Sequence, residues 1–186
     1  MRARTEHEEA DLISRSRAGD RDAYGMLVAR HQQVAFRCAH VVCRDAAEAQ
    51  DAAQEGFLKA YGSLHRFRDG APFRPWLLAI VANEARNRRR SAGRREHLIT
   101  RVGAADAPQH APGADVAVLA GARRDTLLTA LNALSADHRE VLALRYLLDL
   151  SEQECAAVLG CRPGTVKSRH ARALDRLRAV LEGVDA

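Results

Sequence analysis

SEQECAAVLGCRPGTVKSRHARALDRL, residues 151–177, spells out two helices joined by a tight turn. Ser151 can cap the first helix, and Glu154 can reach back to the Ser151 amide, the reciprocal arrangement of a capping box. Cys155, Ala156 and Leu159 supply a buried side, the alanine leaving room for a second helix to cross closely. Gly160 ends the helix because glycine takes positive φ without steric cost. Pro163 fits the first position of the next helix, where a missing N–H costs nothing. From there Val166, His170, Ala173, Leu174, Leu177 and Leu181 recur at helical spacing and face a core. Thr165, Lys167, Ser168, Arg169, Arg172 and Arg176 occupy the other surface, with Asp175 the only acid among them. Such a face suits a DNA major groove: hydroxyls and the positive helix end meet phosphates, and Arg or Lys reaches guanine edges. The plain alternative is an amphipathic helix with a solvated basic face.

Leu150-Ser151 through Glu154, Leu159-Gly160, Gly164-Thr165-Val166-Lys167-Ser168-Arg169, Ala173-Leu174 and Leu177 together resemble the C-terminal DNA-binding domain of bacterial RNA polymerase sigma factors. The resemblance is to the small extracytoplasmic-function (ECF) class. It implies that Arg162, Thr165, Lys167, Ser168, Arg169 and Arg172 read the minus-35 promoter element. Arg162 departs from the pattern, because Ser, Thr or Asn caps a helix better at that position, but it can contact a phosphate.

Working outward, the 186 residues suffice for one domain or two small ones, and the net charge of +5 favours a polyanionic partner. No run is apolar enough to span a bilayer, and MRARTEHEEADL at the N-terminus has no hydrophobic signal core, so a cytoplasmic location is expected. Four cysteines form no disulfide framework in such a chain. Cys38 and His40 fall on nearly opposite sides of one helix, which argues against a metal site with Cys43. Cys155 and Cys161 read as small core residues.

In the N-terminal half, a short helix is expected over Asp11–Arg17, with Gly19-Asp20 stopping it and capping the next. That next helix buries Tyr24, Leu27, Val28, His31, Val34, Ala35, Cys38 and Val41, and His31 reads as a core or boundary histidine. Asp45 caps a third helix, reaching Leu64, with Ala53, Phe57, Ala60, Tyr61 and Leu64 inward. Its other side carries Glu48, Asp51, Gln54 and Glu55, an acidic face that is either solvated surface or a protein-docking surface. Asp51, Gln54 and Phe57 match the sigma-factor helix that docks on the polymerase, so the resemblance assigns Glu48, Asp51, Gln54 and Glu55 to polymerase binding.

The segment His65–Arg74, HRFRDGAPFR, interleaves arginines with two of the chain's four Phe residues around Gly and Pro. It reads either as a loop able to bind single-stranded DNA or as a surface loop whose rings tuck into the core. Pro75 then opens a helix with Trp76, Leu77, Ile80 and Val81 inward, while Asn83, Arg86, Asn87 and Arg90 form a stripe on neighbouring turns. Amides there suit base edges, and guanidiniums suit phosphates. Arg88, Arg89, Arg94 and Arg95 extend the basic run as backbone attraction. By the resemblance, Arg66, Phe67, Arg68, Phe73, Asn83, Arg86, Asn87 and Arg90 contact the minus-10 element. Asn87 stands where the family commonly has Asp.

TRVGAADAPQHAPGADVAVLAG, residues 100–121, has little charge and weak periodicity and reads as a flexible linker. Helical spacing resumes at Arg123 through Leu127, Leu128, Leu131 and Leu134. Ser135 caps a further helix through Val141, Leu142 and Leu144 toward Leu150, and Gly183 marks the end of the last one, with no further C-terminal domain expected. The expected fold is all-α: helical domains at 1–99 and 122–186 joined by the 100–121 linker, the second a helix-turn-helix domain. The resemblance implies a sigma factor with core RNA polymerase, promoter DNA and an anti-sigma factor as partners. A stand-alone helix-turn-helix regulator fits the second domain alone. A nucleic-acid enzyme is disfavoured: the chain has no phosphate-cradling glycine loop, no HExxH and no nucleophile–base pair, and no catalytic residue or cofactor is assigned.

Overall fold

A computed structural model describes residues 2–100 and 126–184, with side chains over 7–91 and 126–183. Every regular element among them is helical, and the chain divides into two compact units. Nearly all of the linker at 100–121, the helix start at Arg123, and the Arg94 and Arg95 side chains lie outside the described residues.

The first unit comprises α1 (Arg2–Arg17), α2 (Arg21–Cys43), α3 (Ala46–Ser63), a 3-10 turn (Leu64–Arg66) and α4 (Phe73–Thr100). α1 starts nine residues before the expected Asp11, through a polar segment with no apolar stripe. Ion pairing across to α2 accounts for this: Glu9 lies 2.8 Å from His31 Nε2 and 3.9 Å from Arg30. Gly19, at φ 95°, turns the chain, and the Asp20 carboxylate accepts from the Ala23 amide at 3.0 Å to start α2. α2 ends without glycine, on Arg44 at φ 63°, whose N–H closes on the His40 carbonyl.

Small residues govern the packing of α3. Ala49, Ala52, Ala53, Gly56 and Ala60 are buried, whereas Tyr61, expected inward, is exposed. A Cβ built on Gly56 would lie 2.6 Å from Val81 Cγ2 and 3.1 Å from Val81 Cα, so α3 and α4 cross at near-backbone contact. α4 opens two residues before Pro75, which is tolerated in a first turn whose amides lack intrahelical acceptors. Leu77, Leu78, Val81, Ala82 and Ala85 form its buried side.

The second unit holds α5 (126–132), α6 (Ala136–Tyr146), most of α7 (Glu152–Leu159) and α8 (Pro163–Val184). Ser135 caps α6 by accepting from His138 N. One Arg139 nitrogen donates to the carbonyls of Leu131, Asn132 and Leu134 at 3.0–3.1 Å, covering the end of α5. Ala130, Leu134, Val141, Leu144, Leu150, Cys155, Val166 and Ala173 are buried. Leu127, placed in the apolar spacing of α5, is instead exposed.

Candidate nucleic-acid interfaces

The helix-turn-helix forms as the local chemistry requires. Glu154 accepts from Ser151 N at 2.7 Å, and Ser151 Oγ accepts from Glu154 N at 3.2 Å, completing the capping box. Gly160 takes φ 64°, and the Cys161 N–H reaches the Ala156 carbonyl five residues back. Arg145 donates to the Leu150 carbonyl and secures the entry to α7. Arg162 serves as the residue before α8, its carbonyl accepting from Thr165 N and Val166 N.

Arg162, just before α8, and Thr165, Lys167, Ser168 and Arg172 on it are all exposed. Arg172 Nε is braced on the Ser168 carbonyl at 3.1 Å. Arg169 is half-buried and lies 3.4 Å from Asp137 at the start of α6. On the opposite side Val166 and Ala173 are buried, and His170 stacks on Tyr146 with ring centroids 5.6 Å apart. Thr165, Ser168 and Arg172 thus line up on successive turns of one exposed side of α8.

The first unit carries the second set. Asn83, Asn87 and Arg90 are exposed on α4, with Arg86 half-buried between them. Arg86 donates to Asn83 Oδ1 at 3.3 Å and Arg90 to Asn87 Oδ1 at 2.7 Å, so the amides and guanidiniums brace each other along one stripe. Arg66 and Arg68 are exposed in the preceding segment, Arg66 Nε lying 3.2 Å from His65 Nε2.

Of the two alternatives for Phe67 and Phe73, rings turned out toward a base or tucked into the core, the structure has the second. The two residues are 5% and 1% exposed. They lie 4.9 and 5.5 Å from Trp76 and 5.6 Å from each other between ring centroids, and Phe73 also packs on His31. Burying two large rings against Trp76 and His31 outweighs leaving them in solvent to await a base. Phe73 is moreover helical, in the first turn of α4. The exposed residues of the segment are His65, Arg66, Arg68, Asp69, Gly70 and Pro72.

The acidic face is also arranged differently from a bare solvated patch. Arg88, read from sequence as part of a DNA-attracting run, turns back onto α3, where one nitrogen lies 3.1 Å from Asp51 Oδ2 and 3.3 Å from Glu48 Oε2. Glu55 and Glu84 share Lys59 at 3.9 and 2.7 Å. Gln54 is exposed and lines a groove of about 870 Å³ between α2 and α3, together with Tyr24, Val28, Phe36, Phe57 and Leu58.

Sequence reasoning missed three residues. Arg17 gathers the backbone of the 64–69 segment, Arg88 fastens the acidic face, and Gly56 sets the α3–α4 crossing. Only Gly56 had a legible signal, a glycine inside a helix otherwise rich in alanine. The cysteines are free thiols. Burial pushes Cys43 and Cys155 up to about 11, keeping both protonated and unreactive near neutrality. Among the described residues no group of His, Cys, Asp and Glu could hold a metal ion, and no helix is long and apolar enough to cross a membrane.

Two family models match the chain: Sigma-70 region 2 over residues 27–95 and Sigma-70, region 4 over residues 124–177. The RNA polymerase sigma-H factor of Pseudomonas aeruginosa is 34% identical, the alignment covering 96% of both chains. The ECF RNA polymerase sigma-E factor of Escherichia coli is 32% identical over 89% of this chain and 90% of its own length. Among solved structures, CnrH in complex with the cytosolic domain of CnrY superposes with a TM-score of 0.68 at 26% identity, covering 95% of this chain and 98% of CnrH. RpoE from Bartonella quintana, crystallised with the anti-sigma factor NepR, gives 0.67 at 27% identity, covering 86% and 96%.

Proposed function

The chain belongs to the sigma-70 family of bacterial RNA polymerase sigma factors, in its ECF class, and on that premise we propose how its surfaces divide the work of initiation. It is a transcription initiation factor and not an enzyme, with core RNA polymerase and promoter DNA as its partners. Residues 1–99 dock on core polymerase through Glu48, Asp51, Gln54 and Glu55 of α3. The exposed face of α8 reads the minus-35 element as duplex. The segment around Arg66 and Arg68, with the Asn83–Arg90 stripe, separates and holds the minus-10 strand. Residues 100–121 connect this domain to 122–186, so that polymerase fixes the separation of two modest DNA affinities and links them. The factor acts in the cytoplasm and is held silent by an anti-sigma factor, a reading supported by the complex in which the similar RpoE was crystallised.

One observation supports this reading: the exposed basic side of α8 is accompanied by a second candidate surface, the Asn83–Arg90 stripe of α4, where amides alternate with guanidiniums. A stand-alone operator-binding regulator has no use for the second. The test combines core bacterial polymerase, genomic promoter fragments and this protein, with strand opening read by permanganate footprinting. Opening that requires the protein, and is lost with Asp51→Ala plus Gln54→Ala, is the expected result. A symmetric duplex footprint from the protein alone, without opening, would replace this reading with that of a regulator.

A further inference from the structure

We propose that Arg17, the last residue of α1, is the positioning residue that presets the strand-holding segment, an inference that rests on the function proposed above. Arg17 lies before the segment matched by the region 2 model, which begins at residue 27. Its guanidinium nevertheless makes three polar contacts to the 64–69 segment. Nε donates to the Leu64 carbonyl at 3.0 Å, one terminal nitrogen donates to the Phe67 carbonyl, and the other pairs with the Asp69 carboxylate. The plane also lies near the Phe67 ring, 5.9 Å from its centroid.

The two carbonyls bracket the 3-10 turn: the Leu64 carbonyl also closes it by accepting from the Phe67 N–H at 3.1 Å, and the Phe67 carbonyl stands at its exit. Holding both fixes the direction in which the intervening Arg66 and the following Arg68 leave the backbone. Phe67 anchors the same point from below, so the segment is pinned on one side by a ring and on the other by a fork of donors. The Arg17 side chain is 24% exposed and its Asp69 partner 87% exposed. The fork is thus shielded at the carbonyls and open at the carboxylate, with the two exposed arginines left facing outward. Only a planar fork reaches three acceptors at once; lysine, a single point of charge, cannot.

The consequence concerns readout more than folding. A preset segment offers the separated strand a fixed set of donors, whereas a slack one must be ordered at the moment of binding and loses discrimination.

The test uses the full chain in holoenzyme on promoter fragments that the wild type opens. Strand opening, affinity for core polymerase, and preference for matched over singly substituted minus-10 single strands are measured for the wild type, Arg17→Ala, Arg17→Lys and Asp69→Ala. Arg17→Ala and Arg17→Lys should both lower opening about tenfold, the scale of losing one charge-assisted hydrogen bond. Both should also flatten the strand preference toward one while leaving core affinity within about twofold. Asp69→Ala, which spares the carbonyl contacts, should shift opening and preference the same way by less. Unchanged opening and preference would overturn the proposal. So would core affinity falling in step with opening while preference survives, since Arg17 would then be only a strut of the fold. A wild-type protein that opens no promoter would instead refute the function proposed above, a result separable from either.

Discussion

The two elements proposed to meet DNA are held in opposite ways. The helix-turn-helix is closed by bonds between near neighbours: Ser151 with Glu154, Cys161 with Ala156, Arg145 with Leu150. The 64–72 segment is closed from a distance, by Arg17 forty-seven to fifty-two residues earlier and by an aromatic cluster drawing on α2 and α4. A locally closed element carries its instructions with it. One closed at long range inherits the condition of the whole unit, so damage far from its surface should disable it while sparing the other reader.

The widest separation between the two should come from Phe73→Ala. It empties the middle of the Phe67–Trp76–His31 cluster and should cost ~3–5 kcal/mol. Hydrogen exchange resolved by residue should show the loss across α1–α4, with the amides of α6–α8 unchanged. Next is Gly56→Ala, where the added carbon meets Val81 backbone as well as side chain; about 1–3 kcal/mol is expected, again confined to the first unit. The reciprocal case is Ser151→Ala, which removes a cap and should cost ~1 kcal/mol, read as faster exchange at the start of α7 with the 64–72 segment unaffected.

The smallest effect is one of pH. The Asp20 carboxylate is held below its ordinary range by the Ala23 amide, then by Arg15. Its contribution is therefore complete above the unfolded value near ~4 and is lost as pH falls through the lower folded value. Acid titration followed by circular dichroism should show a softer start to α2 below about pH 4, absent in Asp20→Asn.

This contrast also explains what could be read from sequence. The capping box, Gly160, Pro163 and the two faces of α8 were legible because their causes lie within one turn of one another. So were the caps at Asp20, Asp45 and Ser135, and the Asn83–Arg90 stripe, whose spacing alone puts it on one side of a helix. The ring positions of Phe67 and Phe73 were not, because alternation of Arg and Phe is equally compatible with rings out or in, and the choice depends on Trp76 and His31 arriving from elsewhere. Nor was the polar first half of α1, whose support comes from α2 and not from an apolar stripe of its own.

Charge was the most misleading signal. A net +5 suggests a stock of cations waiting for phosphate. Yet Arg17, Arg139 and Arg145 are engaged with main-chain carbonyls, and Arg88 with two carboxylates. A lone arginine in sequence gives no hint of which of these fates it meets.

The crossing at Gly56 has a mechanical meaning. α3 bears the surface proposed to meet the polymerase, and α4 bears the stripe proposed to hold the open strand. Where they touch, no side chain of α3 stands between the two main chains to act as a cushion. The crossing behaves as a gauge block: the offset between enzyme and strand is machined into the backbone, beyond the reach of rotamer adjustment. Substitutions elsewhere on either helix can change what is gripped, but the distance between the two grips stays set at that one contact.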